Sequence, residues 1–267
     1  MFLLRLISAL IGIPIVLGIV YFGGPWYALF LILIVSLGLY EYNSIIKKQN
    51  GSVPMIIINY FGATLIIAAL FFEQPELIYP LVMLIFFILF TAALFNMEKS
   101  SIADSALSLW GMIYLGGLAG YLLMLRMLPD GALYTYILLA GVWIHDTAAY
   151  LVGVKWGIRK FSPQISPKKS IEGSMAGIGA TVTIFFSISI LLPEYARLNP
   201  LQAAMLALGI AVFAQLGDLL ESAFKRQMQV KDSGGIIPGH GGILDRFDSL
   251  FMAAPFVYYF FILLNMA

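Results

Sequence analysis

The 267-residue sequence contains no cysteine and only two histidines, and charged residues make up only 11% of it. The absence of cysteine excludes disulfides and thiolate metal sites. A typical soluble domain is about 25% charged and about 45–50% apolar, whereas 61% of this chain is hydrophobic. The 15 basic and 14 acidic residues nearly balance, so a polyanion such as nucleic acid is not an expected partner. The composition is that of a polytopic membrane protein.

Hydropathy predicts the number of membrane spans. A helix needs about 20 apolar residues to cross about 30 Å of hydrocarbon, because its backbone groups must bond within the segment. The sequence therefore predicts an all-α polytopic integral membrane protein with about nine transmembrane helices. The nine stretches run approximately over 3–21, 26–42, 54–72, 77–96, 106–127, 132–153, 174–192, 200–220 and 248–265. Only Arg5 precedes the core of the first stretch and no small-residue cleavage site follows, so it is interpreted as a retained span.

The basic residues predict the orientation of these spans. With a cytoplasmic N-terminus, 13 of the 15 basic residues fall on the cytoplasmic side, and only Arg126 and Arg197 fall outside. Lys and Arg are retained in cytoplasmic loops. We therefore expect a cell-membrane (inner or cytoplasmic membrane) protein with its N-terminus in the cytoplasm and its C-terminus outside.

Charge distribution predicts where the chemistry lies. The windows 143–172 and 217–248 hold 16 of the 29 charged residues and both histidines, and both windows face the cytoplasm in this topology. We expect three parts: residues 1–75 with helices 1–3, residues 76–130 with helices 4–5 as the candidate dimer contact, and residues 131–267 with catalytic helices 6–9 and their cytoplasmic loops.

Carboxylates are the most informative residues of the downstream window. Asp218 follows an apolar run directly, and a carboxylate at such a membrane edge is usually functional or paired. Ser222 and Lys225 share its helix face at i+4 and i+7. Asp245 and Asp248 stand at i, i+3 where the last helix begins. Because Mg²⁺ prefers hard oxygen ligands beside substrate phosphates, the pattern predicts a metal site at Asp218, Asp245 and Asp248.

A glycine-rich segment, residues 233–242, separates these carboxylates and surrounds Pro238 and His240. Glycine lets backbone N–H groups approach an anion closely, and the following helix start adds a positive dipole end. Each element also fits an ordinary explanation: a helix cap, a turn, or a membrane anchor at Lys225 and Arg226. Their combination within about 30 residues favours a functional site.

The upstream window places ionisable residues inside an apolar span. His145 and Asp146 there indicate either a functional site or a helix-packing pair. The loop that follows is rich in Lys and Arg, which suits the binding of phosphate groups. Cytoplasmic loops of membrane proteins also contain many Lys and Arg residues for reasons of orientation alone. Pro167 restricts the backbone of this loop, and Gly173 ends or hinges it just before the next span. A loop that served only to set the orientation in the membrane would need neither residue. The five cations of this loop are Lys155, Arg159, Lys160, Lys168 and Lys169.

These residues carry a family resemblance. The downstream run is similar to the signature of the bacterial phosphatidate cytidylyltransferases, also called CDP-diacylglycerol synthases. Upstream, Asp146, Ala149, Tyr150, Gly153 and the segment 166–173 also resemble that family, with Ser170 where threonine is usual. Residues 1–140 resemble it only in hydropathy. The matching downstream residues are Ser222, Lys225, Arg226, Lys231, Asp232, Pro238, His240, Gly241, Gly242, Asp245, Arg246 and Asp248.

The resemblance implies a Mg²⁺-dependent transfer, with a second cation as an alternative. CTP and phosphatidic acid would give CDP-diacylglycerol and pyrophosphate by in-line attack of the lipid phosphate, as a step of phospholipid biosynthesis. Asp218, Lys225, Asp245 and Asp248 would be catalytic, and the three aspartates would bind the metal. The implied partners are CTP, phosphatidic acid, the bilayer and a second protomer. The implied substrate-binding residues are Asp146, Lys168, Lys169, Ser222, Arg226, Lys231, His240, Gly241 and Gly242.

Three other functions fit parts of the pattern. Another CTP-using membrane lipid transferase would share the cationic loops and carboxylates. An ion-coupled transporter would use Asp146 and Asp218 as ion ligands, although the two halves show no inverted symmetry of interrupted helices. A helical scaffold would use the charged loops only to bind partners. Lipid acceptors, ion flux and loss of activity on carboxylate substitution distinguish these functions.

Overall fold

The computed structural model describes residues 2–50, 55–95, 101–192, 198–237, 239 and 241–266. Within them the chain is almost entirely helical, and one short β-hairpin interrupts the helices. The helices are α1 (Phe2–Phe22), α2 (Gly24–Asn50), α3 (Ile56–Phe71), α4 (Ile78–Phe95), α5 (Ile102–Gly111), α6 (Leu118–Met127), α7 (Gly131–Trp156), α8 (Ile171–Leu191), α9 (Pro200–Gln227) and α10 (Leu244–Met266).

Seven segments of the described chain are long and apolar enough to cross a membrane. Two further apolar helical segments, Ser8–Phe22 and Ile56–Phe71, are shorter than these. The predicted all-α polytopic membrane protein is confirmed, and the chain is an integral membrane protein. The count of nine complete spans and the cytoplasmic N-terminus stay predictions. The seven long segments are Gly24–Lys48, Pro75–Phe95, Ile102–Met127, Gly131–Trp156, Ile171–Leu191, Pro200–Gln227 and Leu244–Leu264.

The fifth predicted span is continuous but changes its helical form. A π-helical turn, Met112–Gly117, joins α5 to α6. A Cβ added at Gly116 would lie 2.7 Å from the Cα of Ala63 in α3. The glycine therefore lets the π-helical turn pack directly against the backbone of α3, within the N-terminal group of helices.

The basic loop after α7 is a β-hairpin, which the sequence did not predict. Strand β1 (Lys160–Ser162) pairs antiparallel with β2 (Ser166–Ser170), with Lys160 opposite Ser170. Glu172, in the first turn of α8, accepts hydrogen bonds from the N–H groups of Ile158 and Arg159 at 3.1 Å. Its carboxylate also pairs with the Arg159 side chain at 3.0 Å. The base of the hairpin is thus attached to α8.

The chain forms two packing units. The first contains Met1–Ala132 and Gln227–Arg246, and the second contains Leu133–Arg226 and Phe247–Ala267. The glycine-rich segment and Asp245 therefore belong to the first unit. The second unit holds the hairpin, Asp146, Asp218 and Asp248.

Candidate active site

The hairpin brings a lysine to the predicted carboxylate of α9. Lys169, the fourth residue of β2, forms an ion pair with Asp218, and the two side chains are 29% and 36% exposed. One turn along α9, the Ser222 hydroxyl donates a hydrogen bond to Oδ1 of Asp218 at 3.4 Å. Lys168 is exposed. Since side chains alternate along a strand, the two neighbouring lysines occupy different surroundings.

Asp248 completes a group of charges in the second unit. Asp248 lies near the start of α10 and is only 7% exposed. Its Oδ1 accepts a hydrogen bond from the N–H of Ser249 at 2.6 Å. Asp218, Asp146 and Lys169 lie close enough to act electrostatically on Asp248. Three carboxylates and one lysine therefore share this site, which we call the carboxylate cluster.

A close approach of α9 and α10 positions this cluster. A Cβ added at Gly217 would lie 2.9 Å from the carbonyl carbon of Asp248 and 3.0 Å from the Cβ of Met252. No side chain fits there, because the obstacle includes backbone. Gly217 therefore permits the contact that holds Asp218 and Asp248 on neighbouring helices.

We expect Gly217→Ala to destabilise the protein by about 1–3 kcal/mol, the usual cost of overpacking a filled interior. The measurement is thermal unfolding of the purified protein in detergent. Gly179→Ala in α8 is the matched control, since a Cβ there meets nothing within 4 Å. Alanine favours helix over glycine, so the control should unfold at the same or a higher temperature. Equal melting temperatures for both variants would contradict the close approach.

His145 borders the carboxylate cluster. It is 3% exposed, and a Cβ added at Gly177 in α8 would lie 2.7 Å from its Nδ1. Lys169 and Asp218 both act electrostatically on its ring. His145 and Asp146 are neighbours in the sequence but lie in different environments. His145 packs against α8, whereas Asp146 is exposed.

Two predicted phosphate ligands on α9 have protein partners. Lys225 pairs with Glu221 at 2.6 Å, and these side chains are 13% and 3% exposed. The Nε of Arg226 donates to the carbonyl of Ile165 at 3.2 Å, which ties the hairpin to the end of α9. The sequence analysis did not single out Glu221, although an acidic residue four positions before a lysine is a readable helical pair.

The glycine-rich segment is organised around Asp245 in the first unit. Oδ2 of Asp245 accepts hydrogen bonds from the Ser233 hydroxyl at 2.8 Å and from the Gly242 N–H at 3.2 Å. The Glu41 carboxylate of α2 accepts the Leu244 N–H at 3.0 Å. Sequence reasoning missed Glu41, for which the available signal was an acidic residue at the end of the predicted span 26–42.

Two described residues of the segment, Ile237 and Gly241, are joined by a backbone hydrogen bond. Ile237 donates its N–H to the carbonyl of Gly241 at 3.0 Å. Gly241 has φ +85°, a left-handed conformation that favours glycine. Lys231 is exposed. The predicted ligand His240 lies outside the described residues, as does Pro238.

The described residues contain no group of three or more His, Asp or Glu side chains arranged to hold a metal ion. Asp218 and Asp248 share the carboxylate cluster, and Asp245 belongs to the first unit, where it binds the glycine-rich segment. The three-carboxylate metal site therefore stays a prediction.

Comparison with known proteins decides the class of the chain. Residues 3–264 match the profile of the Cytidylyltransferase family. The chain belongs to this family. It is 34% identical to the phosphatidate cytidylyltransferase of Synechocystis sp. over 97% of this chain and 96% of the relative. The corresponding enzyme of Staphylococcus haemolyticus is 34% identical over 94% and 95%, and that of Bacillus subtilis is 44% identical over 55% and 54%. The predicted family and nucleotidyltransferase class are confirmed.

Proposed function

We propose that this cytidylyltransferase joins CTP to phosphatidic acid and releases CDP-diacylglycerol and pyrophosphate. Similarity to phosphatidate cytidylyltransferases over nearly the whole chain supports the choice of lipid substrate. The observation that carries the proposal is the carboxylate cluster with its lysine, because Asp248 lies in the second turn of α10 and Lys169 lies in the hairpin just before α8. A soluble nucleotide and a lipid phosphate can both reach such a place.

The reaction is a balanced substitution at phosphorus. An oxygen of the lipid phosphate forms a bond to the α-phosphorus of CTP, and the bond from that phosphorus to the bridging oxygen of the β-phosphate breaks. A phosphate monoester is already ionised near neutral pH, so no strong general base is needed. The task of the protein is positioning and charge neutralisation. We assign Lys169, held by Asp218, to contact a reacting phosphate.

The donor set of the cluster fits Mg²⁺. Mg²⁺ is usually held by one or two carboxylates together with substrate phosphates, and Asp218 and Asp248 supply hard oxygen atoms near one another. When bound, the ion would offset the repulsion between two anionic reactants. We propose these two aspartates as its ligands, while Asp245 as a third ligand, and a second cation, stay predictions from the sequence.

We also propose that the active site faces the cytoplasm and that two protomers associate. The basic residues support the orientation through the positive-inside rule. Cytoplasmic CTP would then reach the cluster directly. We propose that the two protomers contact each other through residues 76–130, which are less polar than the C-terminal part of the chain.

The decisive experiment supplies purified protein with CTP, phosphatidic acid and Mg²⁺ and measures pyrophosphate and CDP-diacylglycerol. We expect equal amounts of both products, and none when phosphatidic acid is omitted. A polyprenol acceptor in place of phosphatidic acid, with polyprenyl phosphate and CDP as the measured products, tests the alternative lipid transferase. Product formed only with that acceptor would overturn the proposal, as would ion flux in proteoliposomes without consumption of CTP.

A further inference from the structure

Glu41 is a buried carboxylate in a helix to which the sequence assigned no function. Its residue is 2% exposed and lies in α2, within the first unit. Oε2 accepts the N–H of Leu244 at 3.0 Å, and it lies 3.4 Å from the hydroxyl oxygen of Ser233. One side chain of a membrane span thus contacts both the beginning and the end of the glycine-rich segment.

Two glycines of the segment make room for this carboxylate. At Gly234, the three atoms nearest to an added Cβ all belong to the Glu41 side chain, with Cδ at 2.7 Å and Cγ at 2.9 Å. At Gly242, an added Cβ would lie 2.5 Å from Oε2 and 2.8 Å from Oε1 of Glu41, and it would also overlap the Ser233 hydroxyl. Glu41 therefore obstructs a side chain at Gly234, and Glu41 and Ser233 together obstruct one at Gly242.

Glu41 also lies near the predicted metal ligand Asp245. The Ser233 hydroxyl lies between the two carboxylates: it donates to Oδ2 of Asp245 at 2.8 Å, and its oxygen is 3.4 Å from Oε2 of Glu41. The Leu244 N–H is one of the first amide groups of α10, which have no partner inside the helix. Glu41 satisfies this amide with Oε2.

We propose that Glu41 is a positioning residue that holds residues 233–244 in the shape required to receive a nucleotide phosphate. It contacts the segment and acts through it. The role of the segment rests on the proposed function, whereas the effect of Glu41 on its shape does not. The two parts of the proposal can therefore be measured separately.

Amide hydrogen exchange in detergent tests the effect on shape. We expect Glu41→Ala to increase exchange at Leu244 about tenfold, because its N–H loses the hydrogen bond to Glu41. Exchange at Gly242, whose N–H bonds to Asp245, should also increase because the Glu41 side chain no longer packs against it. Glu41→Gln retains an acceptor oxygen and should stay within about threefold of the unaltered protein. The matched control is Tyr42→Phe, which removes a 2.8 Å hydrogen bond from α2 to the Leu107 carbonyl. Unchanged exchange in Glu41→Ala, or an equal increase in Tyr42→Phe, overturns the proposal.

A double-mutant cycle tests the contact with Gly234. Gly234→Ala alone should increase exchange across residues 233–244, because the three atoms nearest to its Cβ all belong to Glu41. In the Glu41→Ala background the same change should have almost no further effect. We expect Gly234→Ala to increase the exchange rate about ten times more in the unaltered protein than in the Glu41→Ala background. A coupling of this size is within the range seen for residues in contact. Additive effects would show that the glycine serves another purpose.

Steady-state kinetics test the consequence for the reaction. We expect kcat/KM for CTP to fall about tenfold in Glu41→Ala and to recover in Glu41→Gln. Increased exchange with unchanged kinetics overturns the positioning role. If the unaltered protein does not transfer cytidylyl groups at all, the proposed function fails, and the exchange measurements still decide whether Glu41 shapes the segment.

Discussion

Replacement of Asp218 by asparagine is expected to lower kcat about 100-fold or more, the usual result of removing one preorganised electrostatic group from an active site. The change removes the partner of Lys169 and puts a neutral amide in place of a proposed metal ligand. The remaining carboxylates, Asp248 and Asp146, cannot restore both functions. Pyrophosphate release from CTP and phosphatidic acid measures the loss.

Glu76→Gln is the control for Asp218→Asn. It also converts a carboxylate to an amide, and Glu76 is an exposed residue in the first unit. We expect this control to retain its rate and both variants to elute from gel filtration as the unaltered protein does. A nearly normal rate in Asp218→Asn would remove that residue from the reaction and weaken the assignment of the cluster.

The second large effect is expected at Lys169. Lys169→Met keeps much of the side-chain volume but removes the charge, so the nearby carboxylates lose their compensating cation. Leaving one member of a partly buried pair without its partner is strongly unfavourable. We expect kcat to fall about 30-fold or more.

Lys168→Met is the matched control, because it makes the same change one residue earlier on the strand. Lys168 is exposed, so we expect its loss to raise the KM for phosphatidic acid about threefold and to leave kcat unchanged, as for an exposed charge. Both constants come from titrating the lipid in mixed micelles. Equal effects of the two substitutions on kcat would mean that the lysines act only as a shared positive charge.

The sequence identified Asp218 and Lys169 separately, and it did not predict that they pair. They are distant in the chain, and the β-hairpin that brings them together is too short for a clear pattern. Strand β1 has three residues, and β2 contains Pro167, which usually argues against a strand. A two-stranded hairpin tolerates proline because both of its strands are edges.

Helical spacing predicted one face for Asp218, Ser222 and Lys225, and the structure shows what each of them contacts. Ser222 lies beside Asp218, as the i, i+4 spacing indicates. Lys225 instead pairs with Glu221, because that carboxylate is closer along the same helix. Spacing therefore identified the helix face but not the choice between two acidic partners.

Hydropathy predicted the helices well and their lengths less well. It counts apolar residues, whereas a helix ends where its backbone bonding ends. The predicted span 54–72 is helical over Ile56–Phe71, only 16 residues, or about 24 Å at 1.5 Å per residue.

The role of Glu41 could not be predicted from the sequence for a different reason. Its contacts lie in and next to a glycine-rich segment about 200 residues later in the chain, and only folding brings them together.

Ser170 leaves no spacer between the hairpin and the next helix. It pairs with Lys160 as the last residue of β2, and its hydroxyl accepts the Gly173 N–H at 3.1 Å as the N-cap of α8. A residue inserted between Lys169 and this cap would turn Lys169 to the opposite face of the strand, since a shift of one residue reverses every side chain. The position of Lys169 beside Asp218 therefore depends on the number of residues between β2 and the start of α8.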